Sequence, residues 1–159
     1  MADSKKTDNV LSRTGFVIRY AVCPVIWSSK LQTEIALSTA EVEYISMSLA
    51  LQEALPVQRL EKEINCIVPL FTPRTNFCLT FHEYNLSSIS MAESPKFTPR
   101  TKHIAIKYHN FRSKVKTTYN SSGDIAIKYI PTKKQQDDIF NKPVDGVAFF
   151  TLCKLLCGW

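Results

Sequence analysis

Residues 38–55, STAEVEYISMSLALQEAL, constrain the fold more than any other stretch, because they fix where a long helix starts and which way it faces. Ser38 followed three residues later by Glu41 has the form of a capping box. In that arrangement the hydroxyl takes a free helix N–H and the carboxylate folds back onto the cap. Good helix formers follow until Pro56, which is expected to end or kink the run. Ala40, Tyr44, Met47, Leu51 and Leu55 recur at three- and four-residue steps and make one apolar face. Glu43 falls near the helix start, where the dipole favours a negative charge.

The remaining chain sorts into alternating strand and helix signals. Residues 14–22 and 24–29 alternate as a hairpin with Cys23-Pro24 at its turn. Residues 57–64 continue the long helix or form a short second one. Residues 65–76, with Pro69 and Pro73, suggest a loop, and residues 77–83 (FCLTFHE) a buried strand. A short helix is expected over 86–93, and another opens at Thr98-Pro99 and runs to about residue 116. Residues 120–124 form a turn around Gly123, then 125–130 a strand. A helix follows from 132 or 133 to 141, and a last amphipathic one over about 144–156. The expected organisation is a polar, ragged start (1–13), a main domain (14–143) and a C-terminal helix packed on it (144–159). No repeat or low-complexity segment interrupts this order.

Composition narrows the class. A chain of 159 residues with 45% apolar content suffices for one domain with a real core, and no run has membrane-spanning length. The start, MADSKKTDN, lacks an apolar signal segment, so an intracellular, cytoplasmic and non-secreted protein is expected. Cys23, Cys66, Cys78, Cys153 and Cys157 form no C-x-x-C pair and are expected to be reduced, mostly buried thiols. A net charge of +6 permits a polyanionic partner.

Four blocks in order carry a family resemblance: residues 27–44 (WSSKLQTEIALSTAEVEY), 100–112 (RTKHIAIKYHNFR), 129–143 (YIPTKKQQDDIFNKP) and the closing Gly158-Trp159. They resemble the ribonuclease H domain at the end of copia-type retrotransposon polyproteins. The likeness extends from about Gly15 to Trp159. It implies an α/β fold, a ribonuclease H-like mixed sheet flanked by helices. The element order matches that fold with its first strand missing, since the family places that strand just upstream of Met1. The chain therefore reads as N-terminally truncated.

The resemblance also implies a chemistry. The family hydrolyses the RNA strand of RNA–DNA hybrids with two magnesium ions, which require several carboxylates converging on one point. Its helix glutamate matches Glu43, while Glu41 reads as the capping partner. Its late aspartate matches Asp138, and Asp137 falls where the family prefers alanine and is expected at the surface. Asn85 and Ile89 set a register that puts Tyr84 at the position of the strand-end aspartate. A neutral phenol is a poor magnesium ligand, Glu83 is expected to face the other way, and His82 is too soft a donor. Asp3 and Asp8 lie in polar sequence and do not replace the first-strand aspartate. Glu43 and Asp138 alone are left as metal ligands, so the centre reads as degenerate and Mg2+ binding as doubtful.

No acid lies between Glu93 and Asp124, where Lys96, Arg100, Lys102, Lys107, Arg112, Lys114 and Lys116 alternate with His103, Tyr108, His109 and Phe111. Basic and aromatic residues on one helix suit contact with RNA or an RNA–DNA hybrid. The alternative is a solvated basic face with Ile104, Tyr108 and Phe111 buried beneath. In the family a further partner is the reverse transcriptase part of the same polyprotein. A non-catalytic binding remnant and a transposon fossil without function remain as the other readings.

Overall fold

The computed structural model describes residues 11–68, 78–94, 96 and 102–158. β1 (Arg13–Tyr20) and β2 (Cys23–Leu31) form an antiparallel hairpin with Val17 opposite Trp27 and a register shift between Ile18 and Arg19. Its turn is Ala21-Val22 rather than Cys23-Pro24, which opens β2. Both turn residues hold positive φ, 46° and 70°. Arg19 explains why this turn wins: its Nε and Nη2 donate to the Val22 carbonyl at 2.9 and 2.6 Å. Left-handed backbone is costly for alanine and more so for β-branched valine. Replacing Ala21-Val22 by Asn-Gly is therefore expected to stabilise the domain by roughly 1–3 kcal/mol, read as a shift of the urea midpoint. An unchanged midpoint would contradict the turn geometry.

α1 (Thr39–Ile67) starts where the sequence puts it, with Ser38 as N-cap and its Oγ accepting from Glu41 N–H at 3.3 Å. The Glu41 carboxylate reaches one residue further back than a capping box, taking Leu37 N–H at 2.8 Å. Pro56 does not end the helix. Buried Ala54 and Gln58 pack on either side of it, so tertiary anchoring outweighs the one lost backbone bond. Residues 57–64 are thus a continuation.

β3 (Leu79–Glu83) leads into α2 (Leu86–Glu93), whose N-cap Asn85 accepts from Ser87 and Ser88 N–H at 3.0 and 3.2 Å. β4 (Ile125–Tyr129) pairs in parallel with β3, Leu79 opposite Ile125 and Glu83 opposite Tyr129. Of the helix expected from Thr98-Pro99 to about residue 116, the described part, 102–116, is not an α-helix. Residues 97–101 lie outside the described residues, and the described remainder is a 3₁₀ stretch, Ile106–Lys114, that starts without a side-chain cap. The next expected helix divides into a 3₁₀ turn, Thr132–Lys134, and the short α3 (Asp138–Asn141), because Gln135 turns inward between them and is 3% exposed. α4 (Gly146–Cys157) is capped by Asp145 and closed by left-handed Gly158.

The architecture is α/β. In place of a single mixed sheet there are two two-stranded sheets, β1–β2 packed on α1 and β3–β4 packed on α2. The reason is local: among the described residues nothing pairs with the remaining edge of β1 or of β3, and a cavity of about 680 Å³ lies between them. Tyr44, Met47 and Leu51 of α1 are fully buried and pack with Ala92, Ile104, Tyr108, Phe111, Val115 and Ile125 as the core. Cys23, Cys66, Cys78 and Cys157 are exposed, contrary to the expected buried thiols, because they fall at element ends or on the outer helix faces. Among the described residues no helix is long and apolar enough to cross a membrane.

Candidate active site

Three elements bring the predicted site residues together. Glu43 lies one turn inside α1, Glu83 and Tyr84 end β3, and Asp138 opens α3. Gly15 lets α3 approach β1: a Cβ there would meet Asn141 Oδ1 at 2.5 Å and Phe140 Cβ at 2.7 Å. The Tyr84 hydroxyl donates to Glu43 Oε1 at 2.5 Å. Lys142 Nζ pairs with Asp138 Oδ2 at 2.8 Å and sits 5.8 Å from the Tyr84 ring centroid. Glu43, Tyr84, Lys142 and Asp138 therefore form one linked group.

Two acids are placed differently from expectation. Glu83 does not point away into solvent; it is 2% exposed. The chain turns directly after it, so its Oε1 accepts the otherwise free N–H groups of Tyr84 and Asn85 at 2.9 and 2.8 Å. Asp137 is half-buried rather than on the surface, with Asn141 Nδ2 3.4 Å from its Oδ2. The split of the expected helix at Gln135 is what turns it inward.

Burial dominates the electrostatics. It raises Glu43 from its ordinary value, with the charge of Asp138 adding and Tyr84 and Lys142 opposing. Glu83 is pushed up to about 7 by burial, and then by the charges of Glu43 and Asp138, against its backbone hydrogen bonds. Asp137 is pushed up to about 8, again first by burial. The Tyr84 phenol is raised by burial and by its bond to Glu43, so it stays a donor. Such a group holds protons near neutral pH and can share them across short hydrogen bonds.

The same arrangement does not fit a pair of magnesium ions. Tyr84 offers a neutral hydroxyl already spent on Glu43, and Asp138 is neutralised by Lys142. Glu83 is turned to its own backbone, and among the described residues no group of three histidine, cysteine or acidic side chains could hold a metal. Lys142 was not singled out from the sequence, although its i,i+4 spacing from Asp138 is a readable signal.

The basic residues do not share one helix. Arg112 is a structural tether: its guanidinium donates to the Ser94 carbonyl and, at 3.0 Å, to that of Lys96. Lys107 pairs with Glu34 at 3.0 Å and lies over the Tyr108 ring. Lys96, Lys102 and Lys116 are exposed, Lys114 is half-exposed, and Arg100 lies outside the described residues. His103 bonds Glu41 Oε2 at 2.9 Å, and buried His109 bonds the Tyr44 hydroxyl at 2.7 Å. Ile104, Tyr108 and Phe111 are buried beneath, as the solvated-face alternative requires.

Over 143 residues, 90% of its length, the chain is 30% identical to the retrovirus-related Pol polyprotein from transposon RE2 of Arabidopsis thaliana. It is 30% identical over 142 residues, 89% of its length, to the corresponding polyprotein from transposon RE1 of the same plant. It is 28% identical over 151 residues, 95% of its length, to that from transposon TNT 1-94 of Nicotiana tabacum. It spans only about a tenth of the length of these relatives, between 9% and 10%. No protein-family profile matches the chain. No solved structure matches it either. The chain is thus similar, over nearly its whole length, to a segment of retrotransposon Pol polyproteins.

Proposed function

We propose that the chain is a ribonuclease H-like domain of a copia-type retrotransposon in which a closed hydrogen-bonded cluster stands in place of the two-metal centre. It does not hydrolyse RNA in RNA–DNA hybrids. One observation carries this reading: Glu43 and Asp138, the two positions that match the family's ligands, come together but are closed off by Tyr84 and Lys142. Similarity to Pol polyproteins supports the origin. The gap between β1 and β3 supports a sheet that is open among the described residues, in the middle of the fold where the family's first strand pairs. Titration calorimetry with magnesium tests the centre. No saturable uptake is expected up to roughly millimolar ion, because one carboxylate paired with Lys142 and one bonded to Tyr84 give too few free oxygen ligands to replace a hydration shell. Two-ion binding that disappears in Glu43→Gln would contradict it.

Binding of RNA or hybrid without cleavage is a second reading, favoured by the exposed lysines Lys96, Lys102 and Lys116 on a chain of net charge +6. In the cytoplasm, beside a reverse transcriptase, such a domain would hold template rather than cut it. Affinity for a short hybrid should fall with salt at about 0.7–0.9 log units per log unit for each phosphate contacted. Lys102→Glu with Lys116→Glu should weaken binding about tenfold or more and flatten that slope, with folding unchanged. Full affinity at an unchanged slope would rule out this surface.

A further inference from the structure

We propose that α4 is the surface through which two copies of this chain pair, their α4 helices antiparallel about a two-fold axis. This goes beyond the functional reading above and does not depend on it. α4 packs against β2 and the 3₁₀ turn Thr132–Lys134, with Leu152 and Leu156 buried. Its outer side is apolar as well: Val147 is 81% exposed, Phe150 75%, Phe149 45% and Leu155 42%. Lys154 is the one charged residue in the helix. A helix apolar on both sides is normally buried on both. Together these four side chains present roughly 350 Å² of apolar surface per copy. Doubled by symmetry and completed by a polar rim, that makes roughly 1,200 Å², the lower end for a specific interface.

The order of residues on the outer side selects a second copy and its direction. Val147, Phe150, Lys154 and Cys157 follow one another at steps of three, four and three, the seam of a paired helix. That spacing reads the same from either end about the level of residue 152. An antiparallel copy therefore sets Val147 against the partner's Cys157, and Phe150 against the partner's Lys154. Each ammonium then meets an exposed phenyl ring, whose face attracts a cation. A parallel pair would instead bring lysine onto lysine, a like-charge contact. Gly146, Thr151 and Cys153 flank the seam and are small, so the two helices can approach closely. Because the same patch serves on both copies, the contact closes on itself as a dimer.

The test is sedimentation velocity on the full 159-residue chain, from about 1 µM to about 100 µM. A monomer–dimer equilibrium in the micromolar range is expected. It should tighten with salt, because each copy carries a net charge of +6. Phe150→Asp should weaken it about tenfold or more and leave the urea midpoint unchanged, since the ring is exposed in a single copy. Lys154→Glu should weaken it too, although it lowers the charge on each copy, because an acid has no attraction for the ring face. Direction is read from Val147→Cys in a chain whose Cys23, Cys66, Cys78 and Cys153 are changed to serine. Oxidised glutathione should then link the introduced thiol to the partner's Cys157. Within one helix the two positions lie about 15 Å apart, beyond disulfide reach, so that link can only join two copies. A monomer at every concentration would overturn the proposal, as would a dimer untouched by Phe150→Asp. Links between identical positions of the two copies would mean a parallel pair and would overturn it equally.

Discussion

Glu83→Gln is expected to stabilise the domain by about 3 kcal/mol near pH 8 and to change almost nothing near pH 3.5. The folded protein holds a proton on Glu83 up to about pH 7, against an ordinary value of 4.5, because burial and the neighbouring charges of Glu43 and Asp138 disfavour the anion. A raised carboxyl contributes stability that is complete below the unfolded value and is lost as pH rises through the folded one. Above about pH 7 the wild type must carry a buried anion, whereas glutamine stays neutral and its carbonyl can still accept from Tyr84 and Asn85 N–H. Urea denaturation of both proteins between these limits measures the difference. A gap that is the same at both ends would mean the carboxyl titrates normally and is not held where the structure puts it.

Tyr44→Ala should cost about 3–5 kcal/mol, the range for emptying a buried aromatic site. The ring is fully buried, 5.4 Å from the His109 ring and 5.5 Å from that of Phe111. It joins α1 to the 3₁₀ stretch Ile106–Lys114, and little else could collapse into its place. Tyr44→Phe separates packing from hydrogen bonding. It removes only the hydroxyl bonded to His109 Nδ1 at 2.7 Å, for about 1–3 kcal/mol. Equal losses in both variants would show that the hydrogen bond, not the ring, holds these elements together.

Local signals were legible where one residue type has one structural use. Ser38 caps α1 as its type predicts, and the apolar steps from Tyr44 to Leu51 form the core face. The family blocks pointed to Glu43 and Asp138, which the fold brings near enough to feel each other's charge. Features decided by distant contacts were not. Pro56 stays within α1 because residues on both sides of it are buried, and the hairpin turn is set by the reach of Arg19. The inward turn of Asp137 depends on where Gln135 finds room. The separation of the two sheets was foreshadowed only by the absence of a strand signal before Arg13. Arg112 looked like a phosphate contact because composition does not reveal that its guanidinium is spent on backbone carbonyls.

Cleavage of a labelled RNA strand in an RNA–DNA hybrid, by the purified chain in magnesium, tests the closed centre most directly. No cleavage above the protein-free rate is expected, with Glu43→Gln indistinguishable from wild type. Tyr84→Asp should be equally silent, because Lys142 still neutralises Asp138 and no described residue supplies the remaining ligand. Cleavage by the wild type that disappears in Glu43→Gln would contradict this and show that the cluster opens to take up metal.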